Sequence, residues 1–168
     1  MSTPVTPVDG DEVGEDFIHR YADDWLAAWN SHDTERVFAL LDEDIVWDDR
    51  VFWHEVVYGR EAMRPYMDKV WAAMPDVRFT EIERFVNPAR SRGIVLFEQS
   101  GHGPAQLDPA RTFRSHGCDI FLAFRGGRLA HYLGSYDIVG MLEQLGAIPP
   151  RGPRTASAHL LSLTRGRP

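Results

Sequence analysis

Gly126 and Gly127 stand between two long runs of alternating residues, 112–124 and 129–136, and no other feature constrains the chain as tightly. A two-residue hairpin loop needs positive φ at its centre, which glycine adopts without a side-chain clash, so the two runs must pair antiparallel in one register. With Arg125 opposite Arg128, Asp119 faces Gly134 and Phe121 faces Tyr132. One face then carries Ser115, Gly117, Asp119, Phe121, Ala130, Tyr132, Gly134 and Tyr136, and the other Cys118, Ile120, Leu122, Phe124, Leu129 and Leu133. The second set is a uniform apolar packing surface. The first mixes small residues, aromatics and a carboxylate, as the lining of a ligand cavity does, and is assigned to a pocket.

Two further strand patterns, 77–86 and 93–102, joined by a turn at Asn87 and Pro88, extend the hairpin into a four-strand meander. Helical patterns come before it. Residues 15–30 repeat apolar side chains at helical spacing from Phe17 to Trp29, with acids in the first turn where the helix dipole favours them. Asp33 is placed to cap a shorter second helix with Val37, Phe38, Leu40 and Leu41, and Asp44 opens the strand Ile45, Val46, Trp47. Gly59 leads into a third helix carrying Met63, Tyr66, Met67, Val70, Trp71 and Met74, which Pro75 stops, and Asp137 caps a closing helix that ends at Gly146. Between Arg50 and Tyr58 lies an irregular segment with Phe52, Trp53, His54 and Glu55, read as a lid over the cavity mouth.

The length fits one domain at 15–150, with an acidic tail at 1–14 and an Arg/Pro/Gly-rich tail at 151–168, both read as solvated because unpaired charge does not repay ordering entropy. A formal charge of −7 without a basic stripe excludes nucleic acid as a partner. Cys118 is the single cysteine, so no intrachain disulfide forms; the first 16 residues carry no apolar leader, and no apolar run approaches the roughly 20 residues that span a bilayer. The expectation is a soluble, cytoplasmic protein with no membrane association.

The stretch Trp29-Asn30-Ser31-His32-Asp33, the strand Ile45-Val46-Trp47-Asp48, the run Gly59-Arg60-Glu61-Ala62 and the ending from Tyr136-Asp137 to Gln144-Leu145-Gly146 resemble SnoaL-like polyketide cyclases. The resemblance spans roughly 15–150. It implies the nuclear transport factor 2-like α+β fold, a cone-shaped curved mixed or antiparallel sheet wrapped on three helices around a deep pocket. It also implies one of the superfamily's roles: aldol-type polyketide cyclase, steroid isomerase, dehydratase, epoxide hydrolase, or a scaffold without chemistry. Set against the steroid isomerases, Asp48 matches the carboxylate that follows the first strand and Asp119 the protonated carboxylate of the penultimate strand, while Trp25 and Met67, with Tyr66 beside it, replace their tyrosines. Set against the dehydratases and cyclases, which pair a histidine with an acid or amide, His102 and Asp119 supply such a pair.

Asp119 sits between Cys118 and Ile120, where a carboxylate must be paired, solvated or protonated, and a salt bridge to Arg114 or Arg128 is the structural alternative to a catalytic role. The histidines match no metal-ligand spacing, and no glycine-rich phosphate loop or nucleophile elbow occurs, so the reading is chemistry without metal or cofactor. His102, Asp119 and Asp48 are then the acid/base candidates for an aldol closure, double-bond shift or dehydration, as the resemblance implies for secondary metabolism such as antibiotic biosynthesis. Trp25, Trp29, His54, Tyr66, Met67, Phe121, Tyr132 and Tyr136 are the expected substrate contacts, suited to a polyketide-like or other polycyclic small molecule. A non-catalytic binding or dimerising scaffold of the same fold is the alternative. Either way, the outward-facing Ile120, Leu122, Leu129 and Leu133 predict a homodimer through the convex face of the sheet.

Overall fold

In a computed structural model, residue 5 and residues 8–150 are described. Helix α1 (Glu15–Asn30) buries Ile18, Tyr21, Ala22, Trp25, Ala28 and Trp29, the stripe that its 3.6-residue periodicity sets. It ends where His32 takes the left-handed conformation (φ 56), its ring held by the carbonyl of Val77 at 2.7 Å. The Asn30 amide pairs with the backbone of Phe79 in both directions, each bond 2.8 Å, so the signature around Trp29 fastens this helix to the far edge of the sheet. Asp33 caps α2 (Thr34–Ala39) by accepting from the amides of Glu35 and Arg36.

Strand β1 (Leu41–Asp48) begins earlier than its β-branched stretch, and a short strand β2 (Val56–Tyr58) pairs with it inside the segment read as irregular. A single 3-10 turn (Glu61–Met63) leads into α3 (Arg64–Ala73). The meander follows as β3 (Arg78–Asn87), β4 (Arg92–His102), β5 (Thr112–Arg125) and β6 (Arg128–Tyr136), closed by α4 (Ile138–Gln144), whose cap is Asp137. One mixed sheet results, ordered β2-β1-β6-β5-β4-β3, in which β1 runs parallel to β6 and every other neighbour is antiparallel.

The glycine loop behaves as its chemistry requires: Gly126 and Gly127 have φ of 54 and 74, Arg125 pairs with Arg128, Phe121 with Tyr132 and Asp119 with Gly134. Two compensating bulges, at Leu122 and Ala130, interrupt the alternation. They correct the face assignment. Phe124 and Leu129, placed above on the outer face, are fully buried in the core, where Phe124 packs edge-on to Phe17 and Tyr21. What remains outward is a row across four strands, Phe85, Ile94, Ile120 and Leu133, each directly opposite the next. Residues 8–14 do not stand off: the Asp11 amide donates to the Phe124 carbonyl, its carboxylate accepts from Gly126, and the Val13 amide donates to the Ser91 hydroxyl. The tail at 151–168 lies outside the described residues. Among the described residues no helix is long and apolar enough to cross a membrane.

Candidate functional site

The helix-covered face of β5 and β6 carries Asp119, 6 % exposed, in the middle of an aromatic wall. Both of its oxygens have donors: the Trp25 indole N–H reaches Oδ2 at 2.7 Å and the Tyr132 hydroxyl reaches Oδ1 at 2.5 Å. The Tyr132 hydroxyl also bonds to that of Tyr136. The salt bridges to Arg114 or Arg128 are not made; Arg114 pairs with Glu98 instead.

A second carboxyl enters from β1. Trp47 stacks on Tyr132, ring centroids 3.8 Å apart, which fixes Trp47 on the covered face. Alternation then turns Asp48 outward and brings Asp49, just past the strand, back inside. Asp49 is 2 % exposed; its Oδ2 accepts from the Tyr66 hydroxyl, and its Oδ1 has no partner in the protein. Gly134 makes this convergence possible, because a Cβ there would lie 2.7 Å from the Tyr136 hydroxyl oxygen and 3.0 Å from Asp49 Oδ1.

Burial dominates the electrostatics of both acids. It pushes Asp49 up to about 7, against the Tyr66 bond that favours the carboxylate, and the charge of Asp119 adds to the rise. It pushes Asp119 up to about 6, with the bonds from Tyr132 and Trp25 pulling the other way. The hydroxyls of Tyr66, Tyr132 and Tyr136 are raised by burial as well, so they act as donors and not as phenolates. Near neutral pH the two carboxyls therefore share about one proton, Asp119 being the better-held carboxylate and Asp49 the readier acid.

The cavity at which they meet is lined by Trp25, Trp29, Tyr66, Phe79, Tyr132 and Tyr136, together with Gln99 and Phe52. Its water-accessible space is about 30 Å³, room for roughly two waters. Among the described residues no Lys, Arg or His lines it. Gln99 donates to the Ser115 hydroxyl at 3.0 Å, which orients its amide. The loop that carries Phe52 is clasped to α3 by Glu55, 3.2 Å from the Lys69 ammonium, which lies 5.7 Å above the Trp53 ring. Among the described residues no three His, Cys, Asp or Glu side chains gather as metal ligands.

Of the residues singled out in the sequence, Trp25, Trp29, Tyr66, Asp119, Tyr132 and Tyr136 meet at this cavity. The others do not. His102 ends β4 on the surface, bonded through its ring and its backbone amide to Asp76, so the pair with Asp119 does not form. Asp48 faces outward, gripped by Arg50 through two bonds of 2.8 and 2.7 Å, which hold it below the usual carboxylate range. His54 is exposed on the loop with φ 65, Met67 is buried away from the cavity, and Phe121 packs among Tyr21, Trp25 and Phe124. Phe52, on the segment expected to cover the mouth, does line the cavity, whereas Asp49 and Gln99 were not among the expected site residues. Asp49 was within reach of the sequence: counting alternation from Trp47, the largest side chain of its strand, gives the covered face, whereas counting from Val46 gives its neighbour.

A SnoaL-like domain family matches residues 22–132. Among solved structures, TsrD from Streptomyces laurentii is 23% identical with a TM-score of 0.66, covering 82% of this chain and 100% of its own. A candidate polyketide cyclase from Pseudomonas putida is 23% identical with a TM-score of 0.63, over 74% of this chain and 94% of its own. A protein with a ketosteroid isomerase-like fold from Catenulispora acidiphila, in complex with trimethylamine, is 17% identical with a TM-score of 0.66, over 82% and 100%. At these identities the likeness is one of fold, and it agrees with the nuclear transport factor 2-like architecture expected. No curated protein matches the chain in sequence.

Proposed function

We propose, for a chain that belongs to the SnoaL-like domain family, that it is an acid/base enzyme acting on a small molecule, with Asp119 as base and Asp49 as acid. The observation that carries this is the pair of buried carboxyls in one cavity, one with a donor on each oxygen and the other with an unbonded oxygen, Asp49 Oδ1. The reaction removes a proton beside a carbonyl at Asp119 while Asp49 hands its proton to the developing oxyanion, which Tyr136 is placed to steady by a hydrogen bond. Ring closure, double-bond shift and dehydration all begin with that step. The family and the neighbour described as a candidate cyclase favour a polyketide-like substrate. A multi-ring molecule requires the Phe52 loop to swing away, because the closed cavity holds only about 30 Å³.

The test needs no knowledge of the true substrate. Exchange of α-protons in a panel of small ketones, followed by NMR in D₂O, should be accelerated by the wild type and slowed about 100-fold or more in Asp119→Asn and in Asp49→Asn. The pH profile should be a bell with limbs belonging to the pair, near 6 and 7. If folded variants exchange as fast as the wild type, the assignment is wrong.

The narrowness of the cavity favours a second reading, a non-catalytic binding or dimerising module, which a wild type inert toward every ketone would support. Both readings include a homodimer through the outer face, now carried by Phe85, Ile94, Ile120 and Leu133 without Leu129. Half of Phe85 and about a third of Ile94 are exposed in the single chain, apolar surface that a two-fold partner would remove from water. Ile120→Lys should give a folded monomer by light scattering; a wild type that is already monomeric at micromolar concentration ends the dimer proposal.

A further inference from the structure

We infer that the cavity is built for a ligand with a cationic nitrogen, a protonated amine or iminium, rather than for a neutral or anionic one. The inference rests on the proposed use of the same cavity and names the class of molecule that enters it. Two buried carboxyls face a space to whose wall no Lys, Arg or His is contributed among the described residues, so any charge they carry meets no cation there. The groups packed against them from each element are Tyr21 and Trp25 on α1, Tyr66 on α3, and Tyr132 and Tyr136 on β6, with Asp48 the nearest outward acid. All of these are neutral donors or like charges.

Asp49 Oδ1 is the second and separate sign. It belongs to a residue 2 % exposed and has no hydrogen-bond partner among the described residues, an arrangement whose desolvation cost is relieved by a proton, by a water or by a donor brought in by a ligand. An ammonium group fits this space in size, since it admits about two waters. The walls fit its charge. Trp25, Trp29, Tyr66, Tyr132 and Tyr136 surround the acids with rings, and ring faces attract a desolvated cation. A singly charged carboxyl pair and a monocation make a neutral site. An anionic ligand adds like charge there, and a neutral one leaves the buried charge unmet.

The prediction has a direction in pH. The pair is largely protonated at pH 4.5 and carries at least one charge at pH 7.5, because burial raises Asp49 to about 7 and Asp119 to about 6. Three probes sharing one three-carbon chain isolate the charge: n-propylammonium, 1-propanol and propionate, each titrated into the full-length wild type at both pH values and followed by the NMR shifts of the Trp25 and Trp29 indole protons. We expect n-propylammonium to bind at least tenfold tighter at pH 7.5 than at pH 4.5 and at least tenfold tighter than 1-propanol at pH 7.5, with propionate weakest. Asp119→Asn should weaken ammonium binding at pH 7.5 and reduce the pH dependence to the part that Asp49 carries. Equal affinity for the ammonium and the alcohol, or an ammonium affinity that does not rise with pH, overturns the inference, and since the pH series uses the wild type, an unfolded variant does not obscure the answer. The two readings fail separately: α-proton exchange of neutral ketones with no preference for the ammonium keeps the enzyme and removes the cation, whereas cation selectivity with no exchange does the reverse.

Discussion

Asp48 and Asp49 are consecutive in the chain and nearly equal in exposure, 5 % and 2 %, yet they occupy opposite electrostatic worlds. Asp48 turns to the outer face, where the Arg50 guanidinium takes both oxygens and stabilises the charged form. Asp49 turns to the covered face, where a tyrosine hydroxyl and the Phe52 backbone favour the charge but no cation does, and burial stabilises the protonated form. Burial alone therefore predicts nothing about the chemistry of a carboxyl. What matters is whether the surroundings answer its charge, and the same half-turn of backbone that hides both residues gives one a cation and the other a cavity.

The largest expected effect separates their roles. Asp49→Asn should lower the rate of the reaction the wild type catalyses by about 100-fold or more, while Asp48→Asn, which leaves the cavity untouched, should stay within about twofold at equal folded fraction. Comparable losses in both, measured as kcat/KM, would break the comparison.

Stability should then diverge with pH in opposite senses. In the fold Asp49 and Asp119 keep protons that the unfolded chain releases above pH 4 or so, hence each lowers stability as pH rises from there through its folded value, about 7 and about 6. Asp49→Asn removes that cost and should gain on the wild type between pH 4 and pH 8, by on the order of a few kcal/mol. Asp48, held low, contributes stability that is full above its unfolded value and is lost as pH falls through its folded one. Its Asn variant should accordingly be the less stable at pH 7 and approach the wild type in acid. Urea unfolding at three pH values reads both.

A smaller effect sharpens the picture of how the cavity is assembled. Gly134→Ala would set a methyl 2.7 Å from the Tyr136 hydroxyl and 3.0 Å from Asp49 Oδ1, forcing one of them aside. It should cost about 1–3 kcal/mol in urea unfolding and flatten the bell-shaped rate profile by moving Asp49 relative to Tyr136. An alanine variant of wild-type stability and profile would mean that the two groups do not converge over that glycine.

Much of this molecule is written locally. The Asp33 and Asp137 caps, the helical stripe of α1 and the glycine turn each depend on residues a few positions apart, and the hairpin register that sets Asp119 opposite Gly134 follows from the turn because the two bulges cancel. So does the aromatic wall, because Trp25, Tyr132 and Tyr136 take their facing from periods that begin at fixed points. Tertiary structure decided the rest. Which face of β1 is covered depended on Trp47 finding Tyr132, about 85 residues away in sequence, and this contact chose Asp49 over Asp48. The bulges at Leu122 and Ala130, which move Phe124 and Leu129 into the core, answer the shape of α1 packed above them and leave no mark in the alternation itself. His102 had a suitable type and position, but a carboxylate just before β3, Asp76, holds it on the surface. Periodicity fixes what a residue's neighbours in the chain must do, whereas the partner that answers a buried charge is chosen in space, among groups the sequence holds far apart.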